Sequence, residues 1–368
     1  MARKQRTRPD WWILVATLSL LAVGVIMVFS SSQYVADYKY NDPFYFLRTQ
    51  VLAAAIGLVC LFLAYHMPLR LIRAFTWPTA LLVLGLLVFM AFSSNIATIG
   101  GAERWLGIGG FRFQPSELCK VALPLVMARL LSERRQDILS FKRAYMPSIS
   151  IIILASVLIV LQRDLSSAVV VAAAGFIIMF CAGINGFYLF GTAILGFAAA
   201  AAAIIMEPYR LERMQSWLDP WSDPLDTGMQ MVQSLLAFGN GGLSGVGLGA
   251  GGSKWYYLPY AHNDFIFSVL GEELGFIGVV FVILLFIVLL WRGLNTAAHA
   301  DDSFAGLLAL GLISSIGVQT LINMGVVTGL LPVTGVTLPF ISYGGTSLVV
   351  SLAAVGLLLN ISRYTNKQ

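Results

Sequence analysis

The residues best placed to do chemistry in this 368-residue chain are carboxylates and cations set among apolar side chains. An ionisable group at membrane depth is costly to desolvate, so each is a functional candidate. Asp264 stands in Tyr257-Leu258-Pro259-Tyr260-Ala261-His262-Asn263-Asp264-Phe265-Ile266-Phe267, where a long polar segment returns to apolar sequence. A carboxylate flanked by Phe265 and Phe267 at an interface is partly desolvated, which strengthens it as a proton acceptor. It equally suits a divalent cation that steadies a phosphate. The local chemistry also fits an N-cap for the helix that follows.

Glu117 and Lys120 lie three residues apart in Gln114-Pro115-Ser116-Glu117-Leu118-Cys119-Lys120. On a helix starting at Pro115 they share a face and can pair. Two uses fit: an ion pair that fixes helix register, or a site for an anionic head group. Asp164, in Gln162-Arg163-Asp164-Leu165-Ser166, is expected to be an N-cap. Glu272 and Glu273 are adjacent, so one is expected to face the bundle interior and the other the interface. Residues 332–347 carry no charge and lie between two apolar spans. Such a segment is expected to be re-entrant and to line a groove for a lipid tail or sugar, with Ser342 as the candidate contact.

The elements that must hold these groups follow from composition. Hydrophobic residues make up 58% of the chain and charged residues 11%, with mean hydropathy +0.83. That is more apolar surface than one soluble core can bury, so the fold class is all-α, a polytopic integral membrane protein. Crossing the hydrocarbon takes about 20 apolar residues. Ten stretches qualify, near 11–31, 48–66, 76–94, 115–132, 147–161, 165–183, 187–206, 266–291, 304–326 and 345–361. The whole chain, 1–368, reads as one transmembrane domain. Basic residues concentrate at the N-terminus, around Arg70 and Arg73, and from Arg129 to Arg143, which places both termini in the cytoplasm. The first span, long for a signal peptide and without a prompt cleavage site, is expected to stay attached.

The segment 207–264 is then a long extracytoplasmic loop between the seventh and eighth spans. Tyr209 to Met214 reads as a short amphipathic helix, and Asp219-Pro220-Trp221-Ser222-Asp223-Pro224 as a turn. The Gly-rich stretch 239–252 is expected to approach a ligand closely. It follows no strand, so it is no dinucleotide fingerprint. Cys60, Cys119 and Cys181 are too scattered for a disulfide framework, and the three histidines too dispersed for a zinc motif.

These residues carry a resemblance to the SEDS family typified by FtsW, RodA and SpoVE. The match lies in Arg104-Trp105-Leu106-Gly107 with Gln114-Pro115-Ser116-Glu117, in Gly241-Gly242-Leu243 to Gly249, in His262 to Phe267 followed by Glu272-Glu273-Leu274-Gly275, and in Leu338-Pro339-Phe340-Ile341-Ser342-Tyr343-Gly344-Gly345. Ala36 to Lys39, Gly325 to Leu330 and Asn360 to Tyr364 are more similar to the FtsW and SpoVE branch. The resemblance implies a peptidoglycan glycosyltransferase of the bacterial cytoplasmic membrane, polymerising lipid II outside for division or sporulation. It implies Asp264 as the catalytic base, with a divalent cation, Mg²⁺ or Mn²⁺, at the leaving pyrophosphate. Arg104, Lys120, Arg210 and Arg213 become candidates to neutralise the pyrophosphates of lipid II and of the undecaprenyl-pyrophosphate-linked glycan, with Glu117 ordering the cavity. A class B penicillin-binding protein is the implied protein partner, alongside membrane lipids, and no nucleic acid is expected. Arg163 and Ser166 depart from the family pattern, where proline commonly precedes the aspartate and Gly-Thr often follows the leucine. Two rival functions share this bundle: translocation of lipid II, and a scaffold for a transpeptidase.

Overall fold

The computed structural model describes residues 8–92, 97–99, 102–108, 111–253 and 261–365, with backbone alone at 97–99, 102–104, 108, 111 and 112. In chain order the helices are α1 (Trp11–Tyr40), α2 (Tyr45–His66), α3 (Leu69–Ala74), α4 (Thr76–Phe92), α5 (Pro115–Glu133), α6 (Met146–Leu161) and α7 (Leu165–Ala182). They continue as α8 (Gly186–Ile205), α9 (Pro208–Leu218), α10 (Met229–Gly241), α11 (Ile266–Ala298), α12 (Ser303–Val327) and α13 (Gly345–Ser362). Each of the ten apolar stretches holds a helix. Among the described residues, eight helices are long and apolar enough to cross a membrane. The other two of the ten are α4, which is 17 residues long, and α5, which carries Glu117, Lys120 and Arg129. The chain is a multi-pass α-helical membrane protein.

Local chemistry sets the helix ends. Asp10 caps α1 by accepting from Trp12 N at 3.0 Å, and Asp164 caps α7 by accepting from Ser167 N at 3.1 Å, as its sequence context predicts. The first span runs past the expected residue 31 to Tyr40. There Ser31 and Ser32 turn their hydroxyls back onto the Met27 and Val28 carbonyls at 2.7 and 2.6 Å, so they do not interrupt the helix. The two ends of the described chain meet on one side: Asp10 N donates to Ser362 Oγ at 3.1 Å, and Arg292 Nε to Asp10 at 2.8 Å.

Three short antiparallel strands, β1 (Ala97–Ile99), β2 (Ala102–Ile108) and β3 (Phe111–Phe113), join α4 to α5. Sequence periodicity gave no sign of them, because β1 and β3 have three residues each and the seven of β2 do not alternate apolar with polar. The long loop is more ordered than expected. The amphipathic segment forms α9, and α10 is an additional helix that was not anticipated.

Within the Gly-rich stretch, Gly241 and Gly245 approach protein backbone closely. A Cβ on Gly241 would sit 2.0 Å from Gly271 O, and one on Gly245, whose φ is +79°, would sit 2.2 Å from Glu273 O. Val246 N and Gly247 N donate to the Glu272 and Glu273 carbonyls at 3.0 and 3.1 Å. The Glu272-Glu273 pair departs from expectation, since neither reaches the interface and both carboxylates are buried. Glu272 accepts from Gly252 N and Ser253 N at 3.0 and 3.1 Å, and Glu273 from Ser30 Oγ at 2.7 Å. Donors from the loop and α1 satisfy the charges inside the protein, so neither needs the interface.

One apolar core joins α1, α2, α11, α12 and α13, and a second joins α4 to α7. By contrast α8 buries a single residue, Leu189. Gly24 brings α1 against the loop before α13, where a Cβ would lie 2.3 Å from Phe340 O. Gly24→Leu should therefore destabilise the purified protein by about 1–3 kcal/mol or more through overpacking, seen as a lower thermal unfolding midpoint. Gly85→Leu, which meets nothing within 4 Å, should leave the midpoint near wild type. Equal effects of the two would contradict this packing.

Candidate active site

A cavity of about 1080 Å³ opens among the starts of α2, α5 and α13, the α6–α7 turn, α9 and residues 332–337. Its lining includes Asp264, Glu117, Lys120, Arg210 and Arg213. Residues more than 140 positions apart in sequence thus share one volume. Helices α1, α2, α5 and α13 each contribute from the end away from the meeting point of the chain termini, and α9 contributes Tyr209, Arg210, Arg213 and Met214 along its length.

The start of α5 is fixed by its neighbours. Gln114 Nε2 donates to Asp164 Oδ2 at 2.9 Å and Ser116 Oγ to the same oxygen at 3.2 Å, so the α7 cap also latches α5. One turn on, Lys120 Nζ meets Glu117 Oε1 at 2.6 Å, both side chains being 7% exposed. Lys120 Nζ donates as well to Gln319 Oε1 at 2.9 Å. The far end of that amide donates to Thr337 O at 2.9 Å. A turn along α12, Asn323 Nδ2 donates to Val336 O and to Asp264 O, each at 2.7 Å. Gln319 and Asn323 therefore carry the backbone of 336–337 and of Asp264. The sequence held a signal for them, two amides four residues apart on one face of an apolar span.

Asp264 is half-buried and directly precedes Phe265, the N-cap position of α11. Its neighbour His262 packs between Phe46, with ring centroids 4.5 Å apart, and Tyr343, at 5.6 Å. Tyr343 N donates to His262 O at 2.9 Å. Burial, with a smaller contribution from the Lys39 charge, pushes the His262 imidazole down from 6.5 to about 4.

On α9, Arg210 Nη1 donates to Ala203 O at 2.8 Å and Arg213 Nη1 to Val333 O at 3.2 Å. The Arg213 guanidinium also lies 4.4 Å from the Tyr209 ring centroid. A further cation missed in the sequence is Arg163, which lines the cavity from the α6–α7 turn. Its φ of +59° is a left-handed backbone that costs a non-glycine residue about 1 kcal/mol or more. Its guanidinium makes no hydrogen bond or ion pair with the described residues.

One of the expected contacts is placed differently. Ser342 does not line the cavity: it is buried, and its Oγ accepts from Leu338 N at 2.7 Å, closing the turn that carries Phe340. The sequence context missed this because a hydroxyl in an irregular segment bonds local backbone first. The Arg104 side chain lies outside the described residues, although the next residue, Trp105, lines the cavity.

The cell cycle protein family of FtsW, RodA and SpoVE matches residues 11–367, and the chain belongs to it. It is 43% identical over 363 residues to the stage V sporulation protein E of Bacillus subtilis (strain 168), covering 98% of this chain and 99% of that protein. It is 42% identical over 361 residues to a probable peptidoglycan glycosyltransferase FtsW of Geobacter metallireducens, covering 98% and 96%. Among solved structures, a chain of a peptidoglycan synthase complex that coordinates polymerization and crosslinking superposes with a TM-score of 0.78 at 30% identity, covering 97% of this chain and 99% of that one. The rod shape determining protein RodA of Thermus thermophilus superposes with a TM-score of 0.72 at 28% identity, covering 98% of each.

Glu117→Gln or Lys120→Met alone should destabilise the protein by about 3–5 kcal/mol, because each leaves a buried charge without its partner. The double substitution should recover most of that loss in a denaturation double-mutant cycle. Additive losses would mean that the pair is not coupled. For His262, the folded protein binds fewer protons than the unfolded chain between pH 6.5 and about 4. Its contribution to stability is therefore intact above 6.5 and is lost as pH falls through that window. The fall in melting midpoint from pH 7 to pH 4.5 should be shallower in His262→Phe; a slope equal to wild type would contradict the assignment.

Proposed function

We propose that this chain is a peptidoglycan glycosyltransferase that polymerises lipid II at the outer face of the bacterial cytoplasmic membrane. The observation that carries this reading is one cavity lined by Asp264 together with Lys120, Arg163, Arg210 and Arg213. Such a lining suits a ligand with a hydroxyl to deprotonate and a diphosphate to neutralise. In the reaction, the 4-hydroxyl oxygen of the lipid II sugar attacks the anomeric carbon of the growing glycan. The bond from that carbon to the pyrophosphate oxygen breaks. Asp264 takes the hydroxyl proton, and undecaprenyl pyrophosphate leaves with the electron pair. A pyrophosphate is a good leaving group, so one carboxylate base suffices.

Arginine suits the two pyrophosphates because its fork makes paired, charge-assisted hydrogen bonds. Arg210 and Arg213 each spend one donor on backbone and keep others for the ligand. Lys120 serves the cavity mainly through Gln319, which holds the wall in place. Among the described residues no three His, Cys, Asp or Glu side chains gather to cage an ion. The donor set fits the mode in which Mg²⁺ uses one or two carboxylates, water and substrate phosphate oxygens. Asp264 would hold such a cation, which would offset charge on the departing pyrophosphate.

The clustering of basic residues near the chain termini, around Arg70 and Arg73, and from Arg129 to Arg143 supports cytoplasmic termini and an outward-facing cavity. A class B penicillin-binding protein is the proposed partner, supported by the similarity to the peptidoglycan synthase complex chain. The same relatives support a role in division or sporulation.

The test uses full-length protein in proteoliposomes, its transpeptidase partner, fluorescent lipid II and Mg²⁺. Wild type should form glycan polymer, and Asp264→Asn should be slower by about 10²–10⁴-fold, the worth of a general base. Arg163→Ala should raise KM for lipid II about tenfold, as expected from losing one charge-assisted contact. An Asp264→Asn protein at wild-type rate would remove that residue from the chemistry. A silent wild type that moves lipid II across the bilayer would favour translocation.

A further inference from the structure

The mouth of the cavity holds a group of side chains that the reaction leaves unused. The end of α1 and the first turn of α2 contribute Tyr40, Tyr45 and Phe46, and the loop before α13 contributes Tyr343; all four line the cavity. Tyr40 and Tyr45 stack with centroids 3.9 Å apart and planes 10° from parallel. Phe46 stands edge-on to both, at 5.8 and 5.3 Å, and to Tyr343 at 5.0 Å. The tyrosines remain 45% and 40% exposed. Their phenol hydroxyls make no hydrogen bond with the described residues.

One turn along α2, Arg48 lines the same cavity and pairs with Asp42 at 2.9 Å. Asp42 Oδ1 also accepts from Phe44 N at 3.0 Å, which anchors the turn between the helices. A flat aromatic stack beside a neutral guanidinium and carboxylate pair is poorly suited to a lipid tail. Aliphatic residues further along α2, such as Leu52 and Ile56, suit one better. The aromatic face carries negative charge density that attracts the polarised C–H bonds on the flat side of a pyranose ring. The ion pair offers donors and acceptors to the ring hydroxyls and acetamido group. An aromatic belt at the membrane surface would present such rings outward to lipid, whereas these face a cavity.

We propose that Tyr40, Tyr45 and Phe46, with Arg48 and Asp42, form a sugar-stacking subsite that holds a β-1,4-linked N-acetylhexosamine ring of the glycan strand at the cavity mouth. This inference rests on the glycosyltransferase reading, and its test is independent of turnover. The probe is a soluble β-1,4-linked N-acetylglucosamine tetramer, followed by saturation-transfer NMR with full-length protein in nanodiscs.

Wild type and Asp264→Asn should both transfer saturation to the sugar ring protons. Tyr45→Ala and Tyr40→Ala, each checked for a wild-type melting midpoint, should weaken tetramer binding at least tenfold, and Tyr45→Trp should restore it. No transfer in wild type, or undiminished transfer in whichever alanine variant folds, would overturn the subsite. If the tetramer binds in this pattern while wild type makes no polymer, the glycosyltransferase reading fails and the sugar subsite stands. If Asp264→Asn loses polymerisation and no tetramer binds, the reverse holds.

Discussion

A peptide group that leaves helical geometry inside a membrane bundle cannot be left facing lipid, so protein or cavity water must supply its partner. The segment between α12 and α13 is the point where this fold meets that demand. Two amides on α12 meet it, Gln319 at Thr337 and Asn323 at Val336, and the second also holds the Asp264 carbonyl. Gln319 in turn accepts from Lys120, which is paired with Glu117. A buried charge pair and an irregular stretch of backbone therefore form one network, and each satisfies a need of the other. The cavity wall and the backbone of Asp264 are both carried by it.

The same structure divides its labour between tightly and loosely packed elements. Close backbone approaches at Gly24, Gly241 and Gly245 lock α1, α10 and the Gly-rich loop onto the loop before α13 and the start of α11. Asp264 sits on this dense side. Arg210 and Arg213 sit on α9, which follows the sparsely buried α8 and is held to the wall through Val333 O. Few buried contacts place α8 and α9 at the low end of local stability. A long lipid-linked substrate is thus met by a carboxylate held among densely packed elements and by two arginines, Arg210 and Arg213, on loosely packed ones.

Much of this was legible in the sequence. The ten apolar stretches follow from bilayer thickness and all appear as helices, and Asp164 caps α7 as its context predicts. Glu117 and Lys120 pair because helical spacing leaves them little choice. What stayed hidden depended on long-range contact. The burial of both Glu272 and Glu273 required knowing that the Gly-rich loop folds back onto them and that α1 offers Ser30. Arg163 stood out only as a departure from a pattern, since its place in the cavity depends on a left-handed turn. Ser342 was misplaced for the opposite reason: a local bond to Leu338 N outcompeted the cavity. The aromatic group at α1 and α2 carries no distinct sequence signal, because tyrosines near a span end equally suit an interface.

The most direct test of the central claim is a cryo-EM structure of full-length Asp264→Asn bound to lipid II. The account predicts the diphosphate within hydrogen-bond reach of Arg163, Arg210 or Arg213, and a sugar hydroxyl about 3 Å from the residue 264 side chain. Sugar and diphosphate density lying outside this cavity, with the side chain at 264 facing no ligand, would contradict it.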